Sequence, residues 1–269
     1  MITDNRPVLF IDSGIGGLPY CMEFRKNNPY EPVCYLADTE NFPYGTRTKE
    51  ELSSILAALT EKLLITVNPK IIVLACNTAT ISALASLRER FPQIPFVGTV
   101  PALKPAAKTS KNGKVGILGT AVTIKEIHNL HLADTPCKIF GVAAPELVEF
   151  IEQRFDDSDE NEKTGIAGKY IDIFRKEGAD SLVLGCTHFL FLHDEFRREA
   201  APDIEVFGSL EGITKRIEYL LDENEGALRS KNNFCHEHSL LLTGKEGADM
   251  LWKNRARTLD FKLKLLIEL

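Results

Sequence analysis

Short, unbroken apolar runs closed by small and polar residues recur along this chain and alternate with segments of helical period. Two of them are built alike. Ile71-Ile72-Val73-Leu74, preceded by Lys70, closes on Ala75, Cys76, Asn77, Thr78 and Ala79; Ser181-Leu182-Val183-Leu184 closes on Gly185, Cys186, Thr187 and His188. A continuous apolar run reads as a strand buried on both faces. Ligands of open α/β sheets sit outside the carboxyl ends of the strands, so Cys76, Asn77 and Thr78 fall where chemistry is expected, and Cys186 repeats the arrangement.

The echo extends outward. Each cysteine leads through a helix-like segment to a second apolar run with a glycine 22 residues on, Gly98 after Cys76 and Gly208 after Cys186. Upstream, the run Val8–Ile11 ending in Asp12 leads Cys76 by 64 residues, and Val115–Leu118 ending in Gly119 leads Cys186 by 67. Matched order and spacing indicate two pseudo-equivalent halves. The expected architecture is α/β, with two pseudo-symmetric domains, mostly parallel sheets and an active site in the cleft between them. Residues 1–98 plus 208–269 form the first domain, carrying Asp12 and Cys76. Residues 99–207 form the second, carrying Cys186 and His188.

The intervening pattern supplies the remaining elements. A helix is predicted over 48–67, where Leu52, Ile55, Leu56, Leu59, Leu63 and Leu64 fall at helical spacing and Thr48 with Glu51 forms a capping box. Strands are expected at 31–38, 95–100, 139–143 and 239–244. Helices are expected from about Pro19, over 81–90, 101–111, 145–155, 164–178, 213–221 and 246–256. Residues 39–47 read as a surface loop with turn residues and aromatics. The acidic run 156–163 reads as a solvated loop. Gly14, Gly16 and Gly17 follow the first strand at a spacing that is not the dinucleotide fingerprint; the loop is either an anion-holding turn or a plain strand-to-helix turn.

Composition narrows the function. A chain of 269 residues with 44% hydrophobic and 26% charged residues belongs with ordinary globular proteins. A net charge of −6 argues against nucleic acid as a partner. No apolar run approaches the roughly 20 residues that span a bilayer, so no membrane is expected. The N-terminal residues 1–7 lead into a strand with no signal region. Cys21, Cys34, Cys76, Cys137, Cys186 and Cys235 include no CxxC pair, which fits neither a disulfide scaffold nor a metal site. Free thiols in a reducing cytoplasm are expected. No phosphate loop, nicotinamide fingerprint or pyridoxal lysine motif is present, so no cofactor is expected.

What remains is the chemistry of two thiols. Cys186 has His188 two residues on, an imidazole able to relay its proton. Asp12 ends a strand expected beside that of Cys76. Two thiols facing each other across a cleft suit proton removal from one side of a carbon and delivery from the other, because an unperturbed thiol at about 8.5 is already close to neutral pH. A redox-sensing Cys76/Cys186 pair and a non-catalytic binding module are alternatives from other classes.

Asp12-Ser13-Gly14 with Gly16-Gly17, Pro43-Tyr44-Gly45, Ala75-Cys76-Asn77-Thr78-Ala79, Gly119-Thr120 with Thr123, and Gly185-Cys186-Thr187-His188 together resemble the glutamate racemases of the aspartate/glutamate racemase superfamily, over residues 7 to 210. The resemblance implies cofactor-independent racemisation, with Cys76 taking the α-proton from one enantiomer of glutamate and Cys186 from the other. It implies that Asp12 serves the first cysteine and His188 the second. Ser13, Tyr44, Gly45, Asn77, Thr78, Thr120, Thr123 and Thr187 match positions that bind the amino acid. The family's glutamate aligns with Glu149, with Glu146 and Glu152 open on the same helix. D-Glutamate for bacterial peptidoglycan and a homodimer follow from the resemblance, and an aspartate racemase or related two-thiol isomerase is the nearest alternative. The acidic run and the chain beyond about 225 carry no matching motif.

Overall fold

The computed structural model describes residues 4–126, 137–223, 229–230, 237–244 and 250–266. The chain divides into two units, Met1–Thr99 with Leu210–Leu269, and Val100–Ser209. The first begins with β1 (Val8–Asp12), α1 (Leu18–Asn27), β2 (Val33–Ala37), α2 (Lys49–Thr66) and β3 (Ile71–Leu74), then α3 (Asn77–Arg90) and β4 (Phe96–Gly98). The second holds α4 (Leu103–Thr109), β5 (Lys114–Gly119), α5 (Ala121–Glu126), β6 (Lys138–Ala143) and α6 (Pro145–Gln153). It continues with α7 (Glu160–Lys176), β7 (Ser181–Leu184), α8 (His193–Ala200) and β8 (Glu205–Phe207). The chain then returns to the first unit with α9 (Leu210–Glu223), β9 (Ser239–Leu242), α10 (Met250–Thr258) and β10 (Lys262–Leu265).

Every described strand pair is parallel. The sheet orders are β10-β9-β2-β1-β3-β4 and β6-β5-β7-β8. The sequence β2-β1-β3-β4 in one unit and β6-β5-β7-β8 in the other is the same arrangement used twice. Parallel sheets are covered on both faces, which is why their strands are apolar throughout. Leu9, Ile11, Ile72 and Leu74 pack with Leu52, Leu56 and Leu63 of α2 and Ala79, Ala83 and Leu87 of α3. Phe10 faces the other way, 5.8 Å from the Phe24 ring of α1. In the second unit Val115, Ile117 and Val183 pack on Leu103 and Ala106 of α4, while Phe140 meets Phe174 of α7 at 5.5 Å.

Thr48 caps α2 as the sequence predicts, its side chain accepting from the Glu51 N–H and the Glu51 carboxylate accepting from the Thr48 N–H. Several boundaries differ. The helix after Cys76 starts at Asn77 rather than Ile81, so Asn77 to Thr80 belong to its first turn. Half of the acidic run is helical: Asp159 accepts from the Glu162 N–H, and acidic side chains in the first turn suit the helix dipole. Residues 39–47 form two 3₁₀ turns, Thr39–Asn41 and Tyr44–Thr46, and bury Tyr44 at 1% exposure. β10, at the alternating run Phe261-Lys262-Leu263-Lys264-Leu265, is a strand that the expectations above do not include, and it pairs with β9 over four residues. The expected helix at 246–256 is seen from Met250, and residues 245–249 with Cys235 lie outside the described residues.

Gly185 sits where β7 passes closest to β5. A Cβ there would lie 2.7 Å from Ile117 Cδ1 and 3.0 Å from the Leu118 carbonyl oxygen. Gly185→Ala is therefore expected to cost about 1–3 kcal/mol, as overpacking in a filled core does. Urea denaturation measures it, and a midpoint equal to that of the unchanged protein would mean the strand end yields freely.

Candidate functional site

Register decides what stands beside each cysteine. In the first unit Ile11 pairs with Leu74, and the Ala75 N–H donates to the Ile11 carbonyl at 2.8 Å. That carries Asp12 and Cys76 past the same sheet edge. Cys76 is the N-cap of α3, and the Thr80 N–H donates to its carbonyl at 2.9 Å. The start of a helix presents N–H groups that favour negative charge. Asp12 is fully buried, Cys76 is 8% exposed, and Asn77 and Thr78 are buried beside it. The Ser13 N–H donates to Asp12 Oδ1 at 2.6 Å, fixing the carboxylate against its own loop.

The glycine loop is tied down by a neighbouring strand rather than left open. Tyr35 of β2 donates its hydroxyl to the Gly14 carbonyl at 2.8 Å and accepts from the Gly17 N–H at 3.1 Å. Next to it stands a residue that sequence reasoning passed over. Asp38, fully buried at the end of β2, accepts the Tyr44 hydroxyl at 2.7 Å. Burial first, then Asp38, holds the Tyr44 hydroxyl protonated well above its usual range, and the charges of Cys76 and Asp12 reach it as well. Asp38 had a signal of its own: it is the acidic residue that directly follows β2, one position beyond the Ala37 that pairs with Asp12.

The second unit repeats the scaffold with different chemistry. Leu118 pairs with Leu184, and the Gly185 N–H donates to the Leu118 carbonyl at 2.6 Å. Cys186 caps the 3₁₀ segment Thr187–Leu192. Its Sγ lies 3.7 Å from His188 Nδ1, and His188 Nε2 lies 2.6 Å from Glu152 Oε1. Burial alone would favour the neutral imidazole, but the bonds to Cys186 and Glu152 and their charges override it and raise the His188 pKa well above its usual value. A protonated ring between a thiolate and a carboxylate can pass its Nδ1 proton to the sulfur and become neutral while Nε2–H stays bonded to Glu152. Thr187 is buried at 1% exposure, and the hydroxyls of Thr120 and Thr123 lie 3.1 Å apart at the start of α5.

Glu149, the residue aligned from sequence, is corrected by this geometry. It lies on the exposed side of α6, and Glu146 accepts the Tyr170 hydroxyl at 2.5 Å; Glu152 in the last turn reaches His188. The remaining described thiols are poorly suited to proton transfer or stand apart from such groups. Burial pushes the Cys34 thiol up to about 12 and raises Cys21 further, and Cys137 donates to the Ala107 carbonyl at 3.4 Å. Among the described residues no cluster of His, Cys, Asp and Glu could hold a metal ion, and no helix is long and apolar enough to cross a membrane.

The profile of the Asp/Glu/Hydantoin racemase family matches residues 24–211. The chain belongs to this family. A glutamate racemase of Roseiflexus sp. (strain RS-1) is 36% identical over 249 residues, covering 89% of this chain and 88% of that protein. The crystal structure of Escherichia coli glutamate racemase with L-glutamate and the activator UDP-MurNAc-ala superposes with a TM-score of 0.84 at 28% identity, covering 97% of each chain. A glutamate racemase isoform from Bacillus anthracis gives a TM-score of 0.80 at 30% identity, again over 97% of each chain.

The Cys186–His188–Glu152 chain sets a pH test. A folded-state pKa above the unfolded value of about 6.5 means that its stabilisation is complete below that value and is lost as pH rises through the folded pKa. NMR titration of the His188 ring should find it still protonated where an ordinary histidine has lost its proton. Glu152→Gln removes the compensating carboxylate while burial persists, so the titration should move to lower pH. An unmoved titration would mean that Glu152 does not hold the charge.

Proposed function

We propose that the chain is a glutamate racemase that works without a cofactor, Cys76 and Cys186 exchanging a proton with Cα of glutamate from opposite faces. The observation that carries this reading is the doubled strand end: each unit closes its third strand on a cysteine, Cys76 at the edge that Asp12 also reaches and Cys186 with its Sγ 3.7 Å from His188 Nδ1. The Roseiflexus relative and the Escherichia coli and Bacillus anthracis structures to which the chain is similar are glutamate racemases.

In each direction one thiolate removes the α-proton and becomes a thiol, while the opposite thiol gives its proton to the other face and becomes a thiolate. Turnover in one direction thus leaves the enzyme ready for the other. Asp12 attends Cys76, and His188 with Glu152 attends Cys186. Ser13, Tyr44, Gly45, Asn77 and Thr78 on one side, and Thr120, Thr123 and Thr187 on the other, would hold the carboxylates and ammonium of the zwitterion. Fixed donors aimed at the carboxylate disperse charge as Cα becomes carbanionic. The reading extends to a cytoplasmic homodimer that supplies D-glutamate for peptidoglycan.

Incubation of the purified protein with L-glutamate in deuterium oxide, with no cofactor added, tests it. Deuterium at Cα together with D-glutamate is the expected result. Exchange with aspartate alone would keep the chemistry and change the substrate, and no exchange with either would remove the racemase reading. Cys76→Ala and Cys186→Ala should each lower racemisation by at least about 10²-fold, the usual loss of a general base, with unchanged circular dichroism. Near-normal turnover of either variant in both directions would remove the two-base mechanism.

A further inference from the structure

β9 lies parallel beside β2 with Leu242 opposite Ala37, so the residues that follow, Thr243 and Asp38, leave the sheet side by side. The Thr243 N–H donates to the Ala37 carbonyl at 3.3 Å. Its hydroxyl donates to Asp38 Oδ1 at 2.7 Å and accepts from the Glu40 N–H at 3.1 Å. The Gly244 N–H donates to Thr39 Oγ1 at 3.0 Å. Asp38 in turn accepts the Tyr44 hydroxyl on Oδ2 at 2.7 Å and the Asn41 side-chain amide on both oxygens at 3.0 Å. One buried carboxylate thus clamps the turns that carry Tyr44 and Gly45. A donor to that carboxylate comes from β9, outside the residues 24–211 that the family profile matches.

We propose that Thr243 is a positioning residue for the reaction, orienting Asp38 and, through it, Tyr44 and Gly45 toward a carboxylate of the substrate. This rests on the racemase reading above. The hydroxyl is suited to the task because it donates and accepts at once, and a carboxylate can only accept, which fixes the direction of every bond in the network. The β-branch restricts the rotamer that makes both bonds. A loop displaced by a fraction of an ångström loses alignment with a bound carboxylate, and positioning errors of about 1 Å cost as much as 10²-fold.

The test uses the full chain and racemisation assays in both directions. Thr243→Val removes the hydroxyl and keeps the shape; it should raise KM for glutamate about tenfold, the worth of a buried charged-partner hydrogen bond, with a smaller change in kcat. Thr243→Ser keeps the hydroxyl and should restore the KM of the unchanged protein. In a cycle with Tyr44→Phe the two losses should overlap, because both act on Asp38. A Thr243→Val protein with unaltered KM and kcat overturns the proposal whatever its melting temperature, and so do failure of serine to restore KM or strictly additive losses. If valine prevents folding, Thr243→Ala should raise KM in the same way, and unaltered KM and kcat in that protein overturn the proposal equally. An unchanged protein that neither exchanges the α-proton nor racemises glutamate instead fails the functional reading, and the role of Thr243 falls with it.

Discussion

Parallel pairing delivers neighbouring strands to one edge with their ends in step, and the chemistry of both half-sites depends on that alignment. Leu74 opposite Ile11 brings Asp12 to the edge where Cys76 emerges. Leu184 opposite Leu118 brings Gly119 to the edge where Cys186 emerges. Register therefore makes Gly119 the counterpart of Asp12. Gly119 carries no carboxylate, and a Cβ there would lie 3.3 Å from Ile124 Cδ1 and 3.4 Å from Thr123 Cβ, in contact with α5. The second cysteine draws its acid–base partner from elsewhere, through His188 and the end of α6. One scaffold used twice thus carries different groups beside its two cysteines.

The two solutions differ electrostatically. Asp12 is held by the backbone of its own loop, and Cys76 caps a helix whose N-terminus favours negative charge. His188 is a buried imidazole whose pKa burial would lower, but for Cys186 on one ring nitrogen and the Glu152 carboxylate on the other, which raise it. Burial makes these contacts strong in both units, because a polar group removed from water has no substitute for a lost partner. Cys21 and Cys34 lie in the core, where burial pushes their thiols up.

Much of this arrangement was legible in the chain. Apolar runs such as 71–74 and 181–184 identify buried parallel strands, and Thr48 with Glu51 marks the start of α2. What was not legible depended on neighbours remote in sequence. Along α6 the buried positions are Leu147, Phe150 and Ile151, and helical phase leaves both Glu149 and Glu152 off that face. The choice between them is made by the 3₁₀ segment Thr187–Leu192, which brings His188 against the last turn, with Phe191 5.2 Å from Phe155 nearby. Tyr44 looked like a surface residue because turn residues surround it; its burial follows from Asp38 and from β9, whose polar flanks conceal that it joins the sheet beside β2.

The unlike partners of the two cysteines meet a thermodynamic constraint in a racemase. Enantiomers have equal free energies in water, so the equilibrium constant is one and kcat/KM must be the same in both directions. Asymmetry between a thiol beside Asp12 and a thiol beside an imidazolium cannot appear in that ratio. It can appear in kcat and KM separately, provided the two change together. Tighter binding of one enantiomer is then matched by its slower turnover, because the transition state for proton transfer is reached from either side through the same barrier relative to free enzyme and substrate. The doubled fold supplies two strand-end cysteines, and the groups beside them, Asp12 in one unit and His188 with Glu152 in the other, are unlike. Equal kcat/KM in the two directions is imposed by the equilibrium constant alone, and it holds whether or not the surroundings of Cys76 and Cys186 are alike.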